Sequence, residues 1–221
     1  MKINELVKIE LKKISLKKEM CILVIANIVI PLIALAPLMM ASGLGDDAYF
    51  ILDLFIRGTF IIWQSVLISS LIVGEIKTKT MMQLYTYPVK RSALIIAKVG
   101  LIFVIILAFS LITNLIQHSL FASLALILPN FSYSLSLSAI LRMVVSSISA
   151  VMLTMMTLTV GVWMKSTIAP VVTAFLILSM MGSFNGFSLA NNLAFMVMMG
   201  IVGTACVIFS INEITKNDLI V

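Results

Sequence analysis

Residues 75 to 98 read EIKTKTMMQLYTYPVKRSALIIAK and hold five of the chain's fifteen Lys and Arg: Lys77, Lys79, Lys90, Arg91 and Lys98. Lys77, Lys79 and Thr80 precede Met81, Met82, Leu84 and Tyr85, and then comes Tyr87-Pro88. Proline cannot donate a backbone hydrogen bond and disfavours helix at the residue before it. The pattern predicts a short helix over 76–86, a Pro turn, and a new helix from Arg91 or Ser92. The chemistry such a segment supports is recognition. Met81, Met82, Leu84 and Tyr85 are apolar anchors that seat in a groove of a soluble partner. Lys77, Lys79 and Thr80 are candidate polar contacts. A plain solvated loop has little use for Met, Met, Leu, Tyr and Tyr.

The other ionisable residues are sparse. Asp53 and Arg57 stand i, i+4 near one end of an apolar run, so one helical face carries both. With Arg142, they are candidates for an ion pair or an outer gate. Near an interface the cost of such charges is reduced by snorkelling. Asp46 and Asp47 follow Gly43 and Gly45 and are expected in a solvated loop. His118 is the sole histidine, and no Cys, Glu or second His stands at ligand spacing from it, so no metal site is expected. Cys21 and Cys206 both fall toward the expected reducing side, where a disulfide is not expected. No paired carboxylates and no Ser–Lys or Ser–His arrangement mark the apolar runs, which argues against an intramembrane enzyme.

The elements that must position these residues are apolar throughout. Hydrophobic residues make up 62% of the chain, charged residues 11%, and the mean hydropathy is +1.19. A soluble domain is nearer half apolar and a quarter charged. The apolar residues form six runs, approximately 20–40, 54–74, 94–117, 138–164, 168–184 and 192–211. About 20 residues cross ~30 Å of hydrocarbon as a helix. None of the runs alternates polar and apolar residues as a barrel strand would. The sequence predicts an all-α polytopic membrane protein with six transmembrane helices. An amphipathic interfacial helix over 1–19 precedes a transmembrane domain over 20–211, and 212–221 is a cytoplasmic tail.

Orientation follows from the basic residues. With the amino terminus inside, thirteen Lys and Arg fall in inner segments and two, Arg57 and Arg142, on the outer side. Positive charge is retained on the cytoplasmic face, so both termini are expected there. The net charge of +6 is met by topology and anionic inner-leaflet lipid, with no nucleic acid implied. Residues 1–19 place Ile3, Leu6, Val7 and Ile14 at near-helical spacing among lysines, as an interfacial helix does.

Ten of the sixteen Met residues fall in the last three runs, among them Met152, Met155, Met156, Met164, Met180, Met181, Met196, Met198 and Met199. Met forms adaptable apolar surfaces, suited to packing or to varied greasy cargo. The fourth run carries Ser146, Ser147, Ser149, Thr154, Thr157 and Thr159, small hydroxyls that favour close helix packing and a candidate dimer interface.

The connector pattern Glu75, Thr80, Leu84, Pro88, Val89, Arg91 and Lys98 resembles the first cytoplasmic loop of ABC-2 type permeases, the membrane subunits of bacterial ABC exporters. The resemblance extends to the architecture. It implies that 76–86 is a coupling helix seated on a separate ATP-binding subunit. It also implies that Glu75 caps or pairs with the chain's own amino-terminal helix. The given sequence has no G-x-x-x-x-G-K-[ST] phosphate loop. No cofactor is therefore expected in this chain, ATP and Mg belong to the partner subunit, and two permease chains, identical or related, form the working unit. The resemblance implies a permease of the cell membrane exporting hydrophobic or amphipathic peptides, of bacteriocin or cytolytic type. The alternatives are lipophilic drug efflux or a non-ABC channel or sensor. The loop at about 182–191 is short for such a permease.

Overall fold

The computed structural model describes residues 16–40, 46–77, 91–127, 137–182 and 193–216, and every regular element among them is helical. Helix α1 is Leu16–Met40 and α2 is Asp46–Ile68. A π-helical turn, Ser69–Val73, joins α2 to α3, Gly74–Lys77, so 46–77 is one continuous rod. Then come α4 (Arg91–Ile127), α5 (Leu137–Thr154), α6 (Met156–Met164), α7 (Ala169–Gly182) and α8 (Leu193–Lys216). Residues 1–15, which hold most of the expected interfacial helix, lie outside the described residues. So do 78–90, which hold nearly all of the expected coupling helix.

Four of the apolar helices are long enough to cross a membrane: Leu52–Lys77, Ala93–Leu126, Ile140–Met164 and Ala194–Ile214. Two shorter apolar helices, Glu19–Ile33 and Ala169–Met181, overlap the first and fifth apolar runs. At 1.5 Å per residue the 34-residue Ala93–Leu126 is about 51 Å long, well beyond the hydrocarbon thickness.

The rod of α2 and α3 is the hub of the bundle. It packs against α1, α4, α5 and α7, and α8 lies along α5. Ile56, Phe60, Ile68 and Ile72 of the rod meet Ile95, Ile102 and Ile106 of α4 and Leu158 of α6 in one buried core. Outward-facing apolar residues such as Ile96, Val104, Leu115, Phe175 and Ile201 are what a hydrocarbon solvent requires.

Three local features depart from the plain six-run picture. The run 138–164 is not one regular helix. The Met155 N–H bonds Met152 O at 3.2 Å instead of the carbonyl four residues back, breaking the ladder between α5 and α6. The Val151 carbonyl thus released accepts from Gln64 Nε2 at 3.0 Å. A side chain inserted into the ladder is one recognised cause of a helix break. Asp46 and Asp47, expected in a loop, open α2 instead, and the first turn of a helix favours acidic residues. Lys165 sits at φ 49, φ > 0 without glycine, after α6. Its N–H bonds Val162 O and the Ser166 N–H bonds Gly161 O, both at 3.3 Å, closing a Schellman turn. This turn leads directly into α7.

Candidate functional site

The connector is presented by two antiparallel rods, 46–77 and α4, whose ends Lys77 and Arg91 flank it. Two rungs fix their register. Trp63 stacks on Phe109 with ring centroids 5.6 Å apart, and Glu75 forms a salt bridge with Lys98. Between these rungs the first rod spends twelve residues and α4 spends eleven. The π turn lies inside the twelve-residue side, where the Gly74 N–H bonds Ser69 O. A ring closed five residues back rather than four accommodates the extra residue. The rungs are therefore about 17 Å apart along the helices.

The upper rung also receives α1. Trp63 Nε1 donates to Glu19 Oε2 at 2.8 Å. Glu19 is three residues from the first described residue of α1, so the rods continue about 17 Å past that point before the connector begins. Above the same rung Asn27 Nδ2 donates to Thr113 Oγ1 at 3.1 Å, and Gln117 Nε2 donates to Asn27 O at 2.9 Å. These bonds tie α1 to α4 along its length.

At the lower rung Lys98 is 2% exposed and its Nζ also donates to Leu71 O at 3.4 Å. A buried ammonium is costly unless paired and hydrogen-bonded, and Glu75 and the Leu71 carbonyl meet that need. Glu75 thus turns to Lys98 on α4; the amino-terminal helix expected as its partner lies outside the described residues. Ile76 is buried and Lys77 exposed, so the rod's last turn remains two-faced as it enters the connector. Arg91 is the first residue of α4. Lys79, Thr80, Met81, Met82, Leu84, Tyr85 and Pro88 lie outside the described residues.

The other candidate cluster sits toward the opposite end of α2. Arg57 pairs with Asp53, and its Nη1 contacts Met196 Sδ of α8 at 2.9 Å. Ser146 Oγ of α5 stands 3.5 Å from Asp53 Oδ1. Arg57 is only 4% exposed. Snorkelling is expected from its position in the run, but its side chain is buried within the bundle. It is enclosed between α2 and α8 with its counter-ion one helical turn away. Arg142 lies on an exposed face of α5. His118 is buried on α4.

The hydroxyls of α5 face inward. Ser146, Ser147, Ser149 and Thr154 are buried within this one chain. Ser147 Oγ accepts from Asn114 Nδ2 at 3.1 Å, and the Ser149 backbone meets Gly200 of α8. The closest approach of these residues is to the chain's own helices. Met152 and Met155 line an apolar groove of about 270 Å³ with Phe103 and Ile208.

Glu19, Trp63, Gln64 and Asn114 were not legible as partners. Glu19 reads as part of a basic amino-terminal segment. The buried amides carry a faint signal only in being long polar side chains inside otherwise apolar runs.

The comparisons with known proteins fit this geometry. The uncharacterized protein YcbO of Bacillus subtilis (strain 168) is 41% identical over 66 residues, which are 28% of this chain and 29% of that protein. The chain therefore matches less than a third of that relative's length. No solved structure matches it. Residues 6–182 match the family described as ABC-2 family transporter protein. A family match over most of the chain, joined to a bundle of membrane-length helices, places the chain in that family: it belongs to the ABC-2 transporters.

Proposed function

We propose that this chain is the membrane-spanning subunit of an ATP-driven exporter, and that residues 76–86 dock on a separate ATP-binding subunit. The carrying observation is the pair of antiparallel rods, clamped by Glu75–Lys98 at the mouth of a basic, Met- and Tyr-bearing connector. A push from a soluble partner must travel through something stiff. Two helices locked by a buried ion pair and a stacked aromatic rung transmit displacement instead of absorbing it. The length of α4 beyond the hydrocarbon thickness suits a stalk reaching toward such a partner. Both termini are cytoplasmic under this reading, and a second permease chain completes the working unit in the cell membrane.

The cargo in this reading is an amphipathic or hydrophobic peptide. The apolar groove beside Met152 and Met155 and the sparse hydroxyls of the bundle suit molecules that already partition into lipid. A strongly polar solute would be desolvated there without compensation.

Co-purification from the native membrane tests the coupling. The wild-type chain is expected to bring down an ATP-binding subunit, and Met82→Asp with Leu84→Asp to lose it while the chain stays folded in the membrane. Retention of full binding and transport by that variant overturns the docking assignment. A strain lacking the protein is expected to become more sensitive to a membrane-active peptide. Sensitivity only to lipophilic drugs would replace the peptide assignment, and lost uptake of a hydrophilic nutrient would end the exporter reading.

A further inference from the structure

At the meeting of α2, α4 and α5, beside the break in the α5–α6 ladder, lies a small cavity. Its wall includes Arg57, Gln64, Ser110, Asn114, Ser147 and Thr154. Its volume, taken as the space open to the centre of a water molecule, is about 10 Å³. A cavity needs roughly that much to hold one water, along with two to four polar partners.

The hydrogen bonds around it leave an imbalance of definite sign. Gln64 is fully buried and Asn114 is 1% exposed. Gln64 Nε2 donates to the Val151 carbonyl, and Asn114 Nδ2 donates to the Ser110 carbonyl at 2.9 Å and to Ser147 Oγ. A carbonyl only accepts, so both amides are fixed with nitrogen toward it, and a flip would set oxygen against oxygen. Gln64 Oε1 and Asn114 Oδ1 are thereby left as buried acceptors with no partner among the described residues. The hydroxyls cannot serve them. Ser110 donates to Leu107 O at 2.9 Å, Ser147 to Met143 O at 2.8 Å and Thr154 to Ala150 O at 2.7 Å. The one unpartnered donor in this wall is Arg57 Nε.

We propose that this cavity is a binding site for one ordered water molecule, which donates to Gln64 Oε1 and Asn114 Oδ1. Two acceptors call for a molecule with two O–H donors, and the water oxygen remains free to accept from a nitrogen such as Arg57 Nε. Water supplies that complement within the space present. A hard cation such as Ca²⁺ or Mg²⁺ does not fit: it would need six or more oxygen ligands, and the guanidinium in the same wall opposes any cation. The water completes the polar seam that holds α2 and α4 against the break at Val151–Met155. It thereby lets an amide side chain stay inserted in a helix ladder deep within an apolar bundle.

The test is a water-resolving map of the wild-type chain in lipid nanodiscs, read beside a double-mutant cycle of Gln64→Leu and Asn114→Leu. We expect density about 2.7–2.8 Å from both amide oxygens, and a melting-temperature shift for the double variant smaller than the sum of the single shifts, because the two side chains share one partner. Three results overturn the proposal: no density between the two oxygens, density at metal-like distances of about 2.3–2.6 Å, or shifts that simply add. The map of the wild-type chain requires no variant to fold.

Discussion

The Trp63 indole donates to the Glu19 carboxylate at 2.8 Å, joining α1 to the hub rod across forty-four residues of sequence. The same indole lies 5.5 Å from the Phe60 ring and 5.6 Å from Phe109, centroid to centroid. One side chain therefore sets the height of α1, α2 and α4 relative to one another. Trp63→Phe keeps most of the packing and removes the donor. Leaving a partly buried carboxylate without it is expected to cost about 1–3 kcal/mol. Glu19→Gln keeps an acceptor for the indole and should cost less. Thermal unfolding of both variants in one detergent checks the order, and equal losses would deny the hydrogen bond its role.

The Glu75–Lys98 bridge predicts an asymmetric response. Lys98 is nearly inaccessible, and removing one member of a buried pair strands the other at a cost of about 3–5 kcal/mol. Glu75→Gln alone should lower the melting temperature sharply, because it strands the buried Lys98. Glu75→Gln combined with Lys98→Met should recover part of it, because no charge is then stranded. Under the coupling reading the double variant stays folded yet transports less per ATP hydrolysed, since the clamp at the connector's mouth is gone. Wild-type coupling in the folded double variant would show that the bridge serves stability alone.

How much of this was legible in the sequence depended on whether a feature is local. Helical class follows from long apolar runs with no alternation, and the four-residue spacing of Asp53 and Arg57 by itself sets both on one helical face. Register between helices is not local. Nothing within Leu16–Met40 says that Glu19 meets Trp63, so a charged residue at the head of a run reads as part of the basic segment before it. The break at Met155 was invisible for a related reason. Val151 to Met155 contains no Pro or Gly, and the break is imposed by Gln64 from another helix. The π turn shows itself only when residues are counted between two rungs. Residues 78–90, the middle of the most informative stretch of the sequence, lie outside the described residues, so their role rests on composition, family and the geometry of their flanks.

Lys165 holds a left-handed conformation that costs a non-glycine residue about 1–2 kcal/mol. Lys165→Gly is therefore expected to raise the unfolding temperature by relieving that strain, while removing one of the positive charges expected inside. The expected orientation should survive, because twelve of the thirteen Lys and Arg that it places inside remain. Thermal unfolding checks the first point, and cysteine labelling in a background without Cys21 and Cys206 checks the second. Asp47→Cys and Asn130→Cys should label from outside, and Thr78→Cys and Asn217→Cys only after permeabilisation. External labelling at Thr78→Cys would overturn the orientation.

Gly203 and Gly100 form an internally controlled pair. A Cβ at Gly203 would meet the Met152 carbonyl oxygen and come within 2.9 Å of Leu153 Cα. These are backbone atoms at the ladder break, so no rotamer change relieves them. Gly203→Ala must push α8 off α5, and overpacking of this kind costs about 1–3 kcal/mol. A Cβ at Gly100 meets nothing within 4 Å, and alanine in a helix interior is favoured over glycine by about 0.5–1 kcal/mol. Gly100→Ala should thus be neutral or stabilising. The two substitutions are chemically identical and both fall in apolar helices, so opposite shifts in melting temperature would isolate the α5–α8 approach as the cause. A loss at Gly100→Ala matching that at Gly203→Ala would instead mean that Gly100 faces something beyond this chain, at the edge of the groove lined by Met152 and Met155.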